Sequence, residues 1–246
     1  MLIPDALLLA ALFFAAALLY ASVGHAGASA YLAAMALVGT TPDVMRPTAL
    51  VLNLFVASIV VVRFARAGHL PLRSLVPLVI GSIPAAFVGG SIDLPSELYR
   101  PLVAIVLLAG AWRLWTARVD EADGPRGVPL AAGIAAGAAI GILAGLSGTG
   151  GGIFLTPLLV LAGWATTRDA AGLSGAFILA NSVSGLAGLA LGGFAIPAAL
   201  PLWIVAVVGG GLLGSWLGAV RYSIIGLRRV LAAVLVFAAL KLALFP

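Results

Sequence analysis

Gly145-Leu146-Ser147-Gly148-Thr149-Gly150-Gly151-Gly152-Ile153-Phe154-Leu155-Thr156-Pro157 breaks a hydrophobic sequence that continues on both sides of it. Four of the five residues from 148 to 152 are glycine, and each glycine costs a helix interior about 1 kcal/mol against alanine. A helix ending near Ser147 therefore opens here, and a new one starts near Ile153. Irregular backbone between apolar runs survives at membrane depth only where protein or a water-filled cavity satisfies it. The N–H groups freed at the new helix start, together with the helix dipole, favour an anion. A surface turn between two helices is the plain alternative. Against it stands a matching break in the first half of the chain, Gly24-His25-Ala26-Gly27.

The flanking sequence places these breaks in a membrane. Of 246 residues, 63% are apolar and 9% charged, and the mean hydropathy is +1.23; soluble domains run at about 45–50% apolar and about 25% charged. The net charge of +5 does not point to nucleic acid, because the basic residues gather in short loops between apolar runs and read as topology signals. Cysteine is absent, which excludes disulfides, thiolate metal sites and cysteine nucleophiles. The N-terminal Met1 to Asp5 lacks the basic stretch of a signal peptide and reads as the start of a first span.

Cutting at proline, glycine and charge gives apolar segments near 7–23, 28–39, 47–64, 72–90 and 99–116, then 130–146, 152–163, 170–191, 198–219 and 228–245. The polar stretch 118–129 separates two sets of five, so the expected division is a first transmembrane repeat over 1–117, a cytoplasmic linker over 118–129 and a second repeat over 130–246. Asn53 pairs with Asn181, Gly81 with Gly210, Gly89 with Gly218 and Arg100 with Arg229, with small shifts of register. Five segments per repeat invert the second half relative to the first. With the 63–73 loop inside, Arg63, Arg66, Arg73, Arg113, Arg118, Arg126, Arg168, Arg221, Arg228 and Arg229 are cytoplasmic, and Arg46, Arg100 and Lys241 are outside. That bias favours the inverted arrangement with both termini outside. The two short segments are too short to cross comfortably, and read as half-helices or arms of re-entrant loops.

All eight acidic residues fall at segment ends or in the linker, whereas proton and metal-cation carriers place carboxylates inside the membrane. The substrate is therefore expected to be anionic or neutral, and Asp43 and Asp169 to cap helices. His25, the one titratable group inside a break, can donate to an anion or carry a proton, and a hydrogen-bonded structural role is its bland counterpart. Asn53 and Asn181 lie in apolar runs and must find partners, in a neighbouring helix or in substrate and unwound backbone. Gly133, Gly137, Gly141 and Gly145, and Gly210, Gly214 and Gly218, recur every four residues as packing faces, so Gly137→Ala is expected to be tolerated. Trp112, Trp115 and Trp203 near segment ends suit an interfacial belt.

The run Gly145 to Pro157, its counterpart Gly24-His25-Ala26-Gly27 and the stretch Met45-Arg46-Pro47-Thr48-Ala49-Leu50-Val51-Leu52-Asn53 resemble the sulfite exporter TauE/SafE family of bacterial membrane permeases over nearly the whole chain. The resemblance implies movement of sulfite, sulfonates or related organic anions across the cytoplasmic membrane. The first half has fewer glycines, and Ala33 stands where the second has Pro157. A cation permease and a non-transporting assembly protein are the alternatives. Gly145-Leu146-Ser147-Gly148 also matches the Gly-x-Ser-Gly of rhomboid proteases, but no histidine follows Ser147 to serve as its base.

The sequence thus points to an all-α, polytopic transmembrane helix bundle built from two inverted repeats with glycine-broken helices, in a cell membrane, surrounded by lipid and open to homo-oligomerisation. It is expected to be no enzyme and to use no cofactor, metal or nucleic acid. The expected substrate site comprises Gly24, His25, Gly27, Asn53, Ser147, Gly148, Thr149, Gly150, Gly151, Gly152 and Asn181.

Overall fold

The computed structural model describes residues 3–116 and 126–219 and six positions between 232 and 240. Residues 118–125 of the expected linker and most of the segment 228–245 lie outside the described residues. Described helices are α1 (Ile3–Ala21), α2 (Ala28–Leu37), α3 (Pro42–Arg66), α4 (Leu72–Ser91), α5 (Ser96–Thr116), α6 (Leu130–Ser147), α7 (Gly152–Leu161), α8 (Thr167–Leu189) and α9 (Leu200–Ala219). Six of them, α1, α3, α4, α6, α8 and α9, are long and apolar enough to cross a bilayer. Large apolar side chains such as Ile105, Leu161 and Val205 point outward, while small and hydroxyl side chains such as Ser29, Ser82 and Ser174 are buried. This protein turns many large apolar side chains to lipid, and its interior mixes aromatic and aliphatic side chains such as Trp203, Phe13 and Leu50 with small and hydroxyl residues where helices approach closely.

Neighbouring contacts give the helix directions. Gly81 and Gly89 of α4 lie against the carbonyls of Ile134 and Ile142 of α6, so those helices run the same way. Gly210 and Gly214 of α9 meet the carbonyls of Phe14 and Leu18 of α1, again in parallel. At the centre α3 and α8 are antiparallel, with Asn53 beside Ser182, Val60 beside Gly175 and Phe64 beside Gly172. The ten-residue α7 starts at mid-depth, Gly152 beside Ile178, and descends antiparallel to α8, Thr156 bonding Ser174. The second broken pass is thus a glycine run followed by a half-length helix.

The glycine faces pack within the chain, and more tightly than expected. A methyl on Gly137 would lie 2.1 Å from the Leu78 carbonyl oxygen, so Gly137→Ala is not tolerated in place. Backbones this close leave no room for a Cβ, whatever alanine does for helix propensity.

Three further expectations are corrected. Asp43 and Asp169 stand inside the first turns of α3 and α8, and the caps are Thr41 and Thr166 ahead of them. Thr166 accepts from the Asp169 N–H at 3.2 Å, and the Asp169 carboxylate instead takes the His69 ring at 3.0 Å. These helices begin before their apolar runs because their first turns are polar. Trp203 is no belt residue: it is fully buried, donates to the Ala6 carbonyl at 3.0 Å and meets Phe13 edge-on. Arg46 is not in an outside loop but in the first turns of α3, where Pro47 had suggested a helix start.

Candidate functional site at the two helix breaks

Both half-length helices start from a left-handed glycine. Gly27 (φ 102°) precedes α2 and Gly151 (φ 82°) precedes α7, a conformation that side chains with a Cβ rarely adopt. Phe154 and Leu155 donate to the Gly151 carbonyl at 3.1 and 3.2 Å, and Ala30 and Tyr31 donate to that of Gly27 at 3.0 Å. The N–H groups just ahead of them, on Gly152 and Ile153 and on Ala28 and Ser29, have no carbonyl partner among the described residues. Each break therefore presents the free donors of a helix start.

The two breaks meet through His25. Its Nε2 lies 3.2 Å from the Gly152 carbonyl oxygen and 3.0 Å from Thr156 Oγ1, and its Nδ1 lies 3.1 Å from the Val23 carbonyl oxygen. Thr156 Oγ1 continues to Ser174 Oγ at 2.7 Å, and Tyr20 stacks edge-on against the imidazole. Thr156 and Ser174, which extend the His25 contact, were not singled out by sequence; hydroxyls are too common in membrane helices to signal a role.

The asparagines converge on Gly150. Asn181 Nδ2 donates to its carbonyl at 3.4 Å, and Asn53 Nδ2 donates to Ser182 Oγ at 3.4 Å. A methyl on Gly150 would lie 3.0 Å from Asn53 Nδ2 and 3.3 Å from Ser182 Oγ. Ser147 Oγ bonds the Leu143 carbonyl at 2.7 Å and Thr149 Oγ1 at 2.8 Å, as a polar helix end does and unlike an activated nucleophile.

Arg46 braces this second break. Its Nε donates to the Gly145 carbonyl at 2.9 Å, Nη1 to Ile92 at 2.9 Å, and Nη2 to Gly90 at 2.8 Å and also to Gly89. The guanidinium thus caps the C-terminal ends of both α4 and α6, where free carbonyls and the negative dipole end favour a cation. Tyr99 adds a bond to the Ser147 carbonyl at 3.1 Å. The clue in the sequence is that Arg46 falls on the side expected to be outside and poor in charge, an arginine with no positive-inside task there.

All eleven expected site residues are buried. His25 and Gly152 come together, as do Asn53, Gly150 and Asn181, while Ser147, Gly148 and Thr149 form the end of α6 next to Arg46. Gly24 and Gly27 serve packing as well, Gly24 against Ala171 and Gly27 against the Tyr31 ring. No carboxylate is among the buried side chains of the described residues, and none of these residues forms a metal-binding group of histidines and acids.

The model of the family described as sulfite exporter TauE/SafE matches residues 8–242. A "Probable membrane transporter protein y4hK" of Sinorhizobium fredii (strain NBRC 101917 / NGR234) is 38% identical over 242 residues, covering 97% of this chain and 98% of its own. No solved structure matches the chain. A bundle of long apolar helices, glycine-broken passes that meet inside it, and a family match over nearly its whole length identify this multi-pass membrane protein as a transporter rather than an enzyme, belonging to the sulfite exporter TauE/SafE family.

Proposed function

We propose that the protein is a permease for small sulfur-containing anions, such as sulfite, a sulfonate or a related organic anion, and that it holds them at the two glycine breaks. The observation that carries this reading is the meeting of the breaks through His25 and Gly152, which gathers the donors of two helix starts in the bundle interior. Such starts stabilise negative charge, and broken helices near the membrane midplane form substrate sites in inverted-repeat transporters. The lack of buried carboxylates among the described residues fits an anion and disfavours a cation. The family description supplies the sulfur chemistry.

Inverted repeats belong to the same proposal. Gly24 packs on Ala171 near the start of α8, and Gly148 packs on Arg46 near the start of α3; α4 lies along α6 as α9 lies along α1. Exchanging the halves exchanges the members of each pair.

The test is anion flux and anion-induced thermal stabilisation of Gly151→Val in liposomes and detergent. A side chain there meets Ile140 at 2.7 Å and Phe177 at 3.0 Å in a strained backbone, and both signals should be lost. Gly209→Ala, whose methyl would lie 3.5 Å from the Phe14 ring in ordinary contact, should keep both. A folded Gly151→Val that transports with normal affinity places the site elsewhere.

A further inference from the structure

Two amide oxygens beside the second break, Asn53 Oδ1 and Asn181 Oδ1, are buried and have no hydrogen-bond partner among the described residues. Both side chains are wholly inaccessible. The orientation of Asn181 is fixed by chemistry: its Nδ2 donates to the Gly150 carbonyl at 3.4 Å, and turning the amide over would set two oxygens against each other. Its Oδ1 is thus left an acceptor without a donor. Asn53 meets the same glycine from α3, its Nδ2 engaged with Ser182 Oγ.

Buried acceptors are rarely left empty. A bare oxyanion brings only acceptors, so it satisfies the N–H groups of the break and leaves both amide oxygens unpaired. A ligand that is anionic at one end and carries an O–H or N–H at the other satisfies both sets. We infer that the site selects oxyanions bearing a hydrogen-bond donor of their own, a singly protonated oxyanion or a hydroxyl- or amino-bearing sulfonate, with Asn53 and Asn181 accepting from that donor. This rests on the anion site proposed above and narrows its substrate class.

Hydroxyethanesulfonate and propanesulfonate have the same number of heavy atoms and differ in a terminal hydroxyl against a methyl. Purified protein in sodium-free choline buffer should be half-stabilised by hydroxyethanesulfonate at a concentration about tenfold lower than by propanesulfonate, the factor that 1.4 kcal/mol of binding energy supplies. Asn181→Leu, similar in volume but without the acceptor, should bring the two ligands level, and Asn53→Leu should reduce the gap. Ligand-free melting and gel filtration establish that each variant is folded. Equal response of the wild type to both sulfonates overturns the inference and leaves the anion site standing. A preference that survives in both folded leucine variants, or that appears only with sodium present, also overturns it, because the acceptors then serve something else. Stabilisation by neither sulfonate nor sulfite overturns the anion site itself.

Discussion

His25 has a hydrogen-bonding arrangement that depends on its proton. Both ring nitrogens face carbonyl oxygens, of Val23 and Gly152, and both contacts are donated only by the protonated ring. A neutral ring bonded to Val23 must accept at Nε2 from Thr156. Tyr20, Thr156 and Ser174 supply the polar surroundings, with no carboxylate among these contacts. His25→Gln keeps a side chain that donates and accepts but cannot titrate, so the pH profile of transport should flatten while the protein still inserts and folds. An unchanged profile in a flux assay returns His25 to a structural role. Arg46 is a matter of stability: it is 5% exposed and donates to four carbonyls. Arg46→Met should cost about 2–4 kcal/mol, as expected when several charge-assisted bonds are lost and their acceptors stay buried, and detergent melting curves measure it. Arg46→Lys, with one compact donor group in place of a fork, should recover part of the loss.

Among the helices, adjacent glycines on α9 provide a sharp comparison. A methyl on Gly210 would sit 2.3 Å from the Phe14 carbonyl oxygen, whereas one on Gly209 finds only the Phe14 ring at 3.5 Å. Gly210→Ala should lower stability by about 1–3 kcal/mol through overpacking, and Gly209→Ala should raise it by about 0.5–1 kcal/mol through helix propensity; melting of the two variants in one detergent checks both. This pair also illustrates how far sequence reaches. Hydrophobic runs located the long helices, because α4, predicted over 72–90, is Leu72–Ser91, and α6, predicted over 130–146, is Leu130–Ser147. The glycine density marked the second break, since four glycines in five residues make no stable helix interior, and the first break was legible only as its sparser counterpart. Periodicity identified packing faces without revealing their closeness, so alanine at Gly137 looked harmless. Polar first turns hid the start of α3, and with it Arg46. Burial of Trp203 depends on α1 lying alongside α9, a tertiary fact with no local signature.

For the whole molecule, the proposed topology sets the 63–73 and 118–129 loops in the cytoplasm and both termini outside. A naturally cysteine-free chain suits accessibility labelling: Thr40→Cys should react with an impermeant reagent on intact cells, and Arg126→Cys only after the membrane is opened. Labelling of position 126 from outside overturns the inverted arrangement. The two breaks are also unequally anchored. Gly148 rests on the arginine that ties α4 to α6, while the related contact of Gly24 is the methyl of Ala171. A buried guanidinium holds one break, while the other is held by His25, Tyr20 and Tyr31. For a carrier that exposes its cargo alternately to two sides through a stationary jaw and a moving one, the buried arginine predicts that the second break is the stationary one. Amide hydrogen exchange should therefore run faster through residues 22–29 than through 146–153, and Arg46→Met should release the slower jaw and narrow the difference.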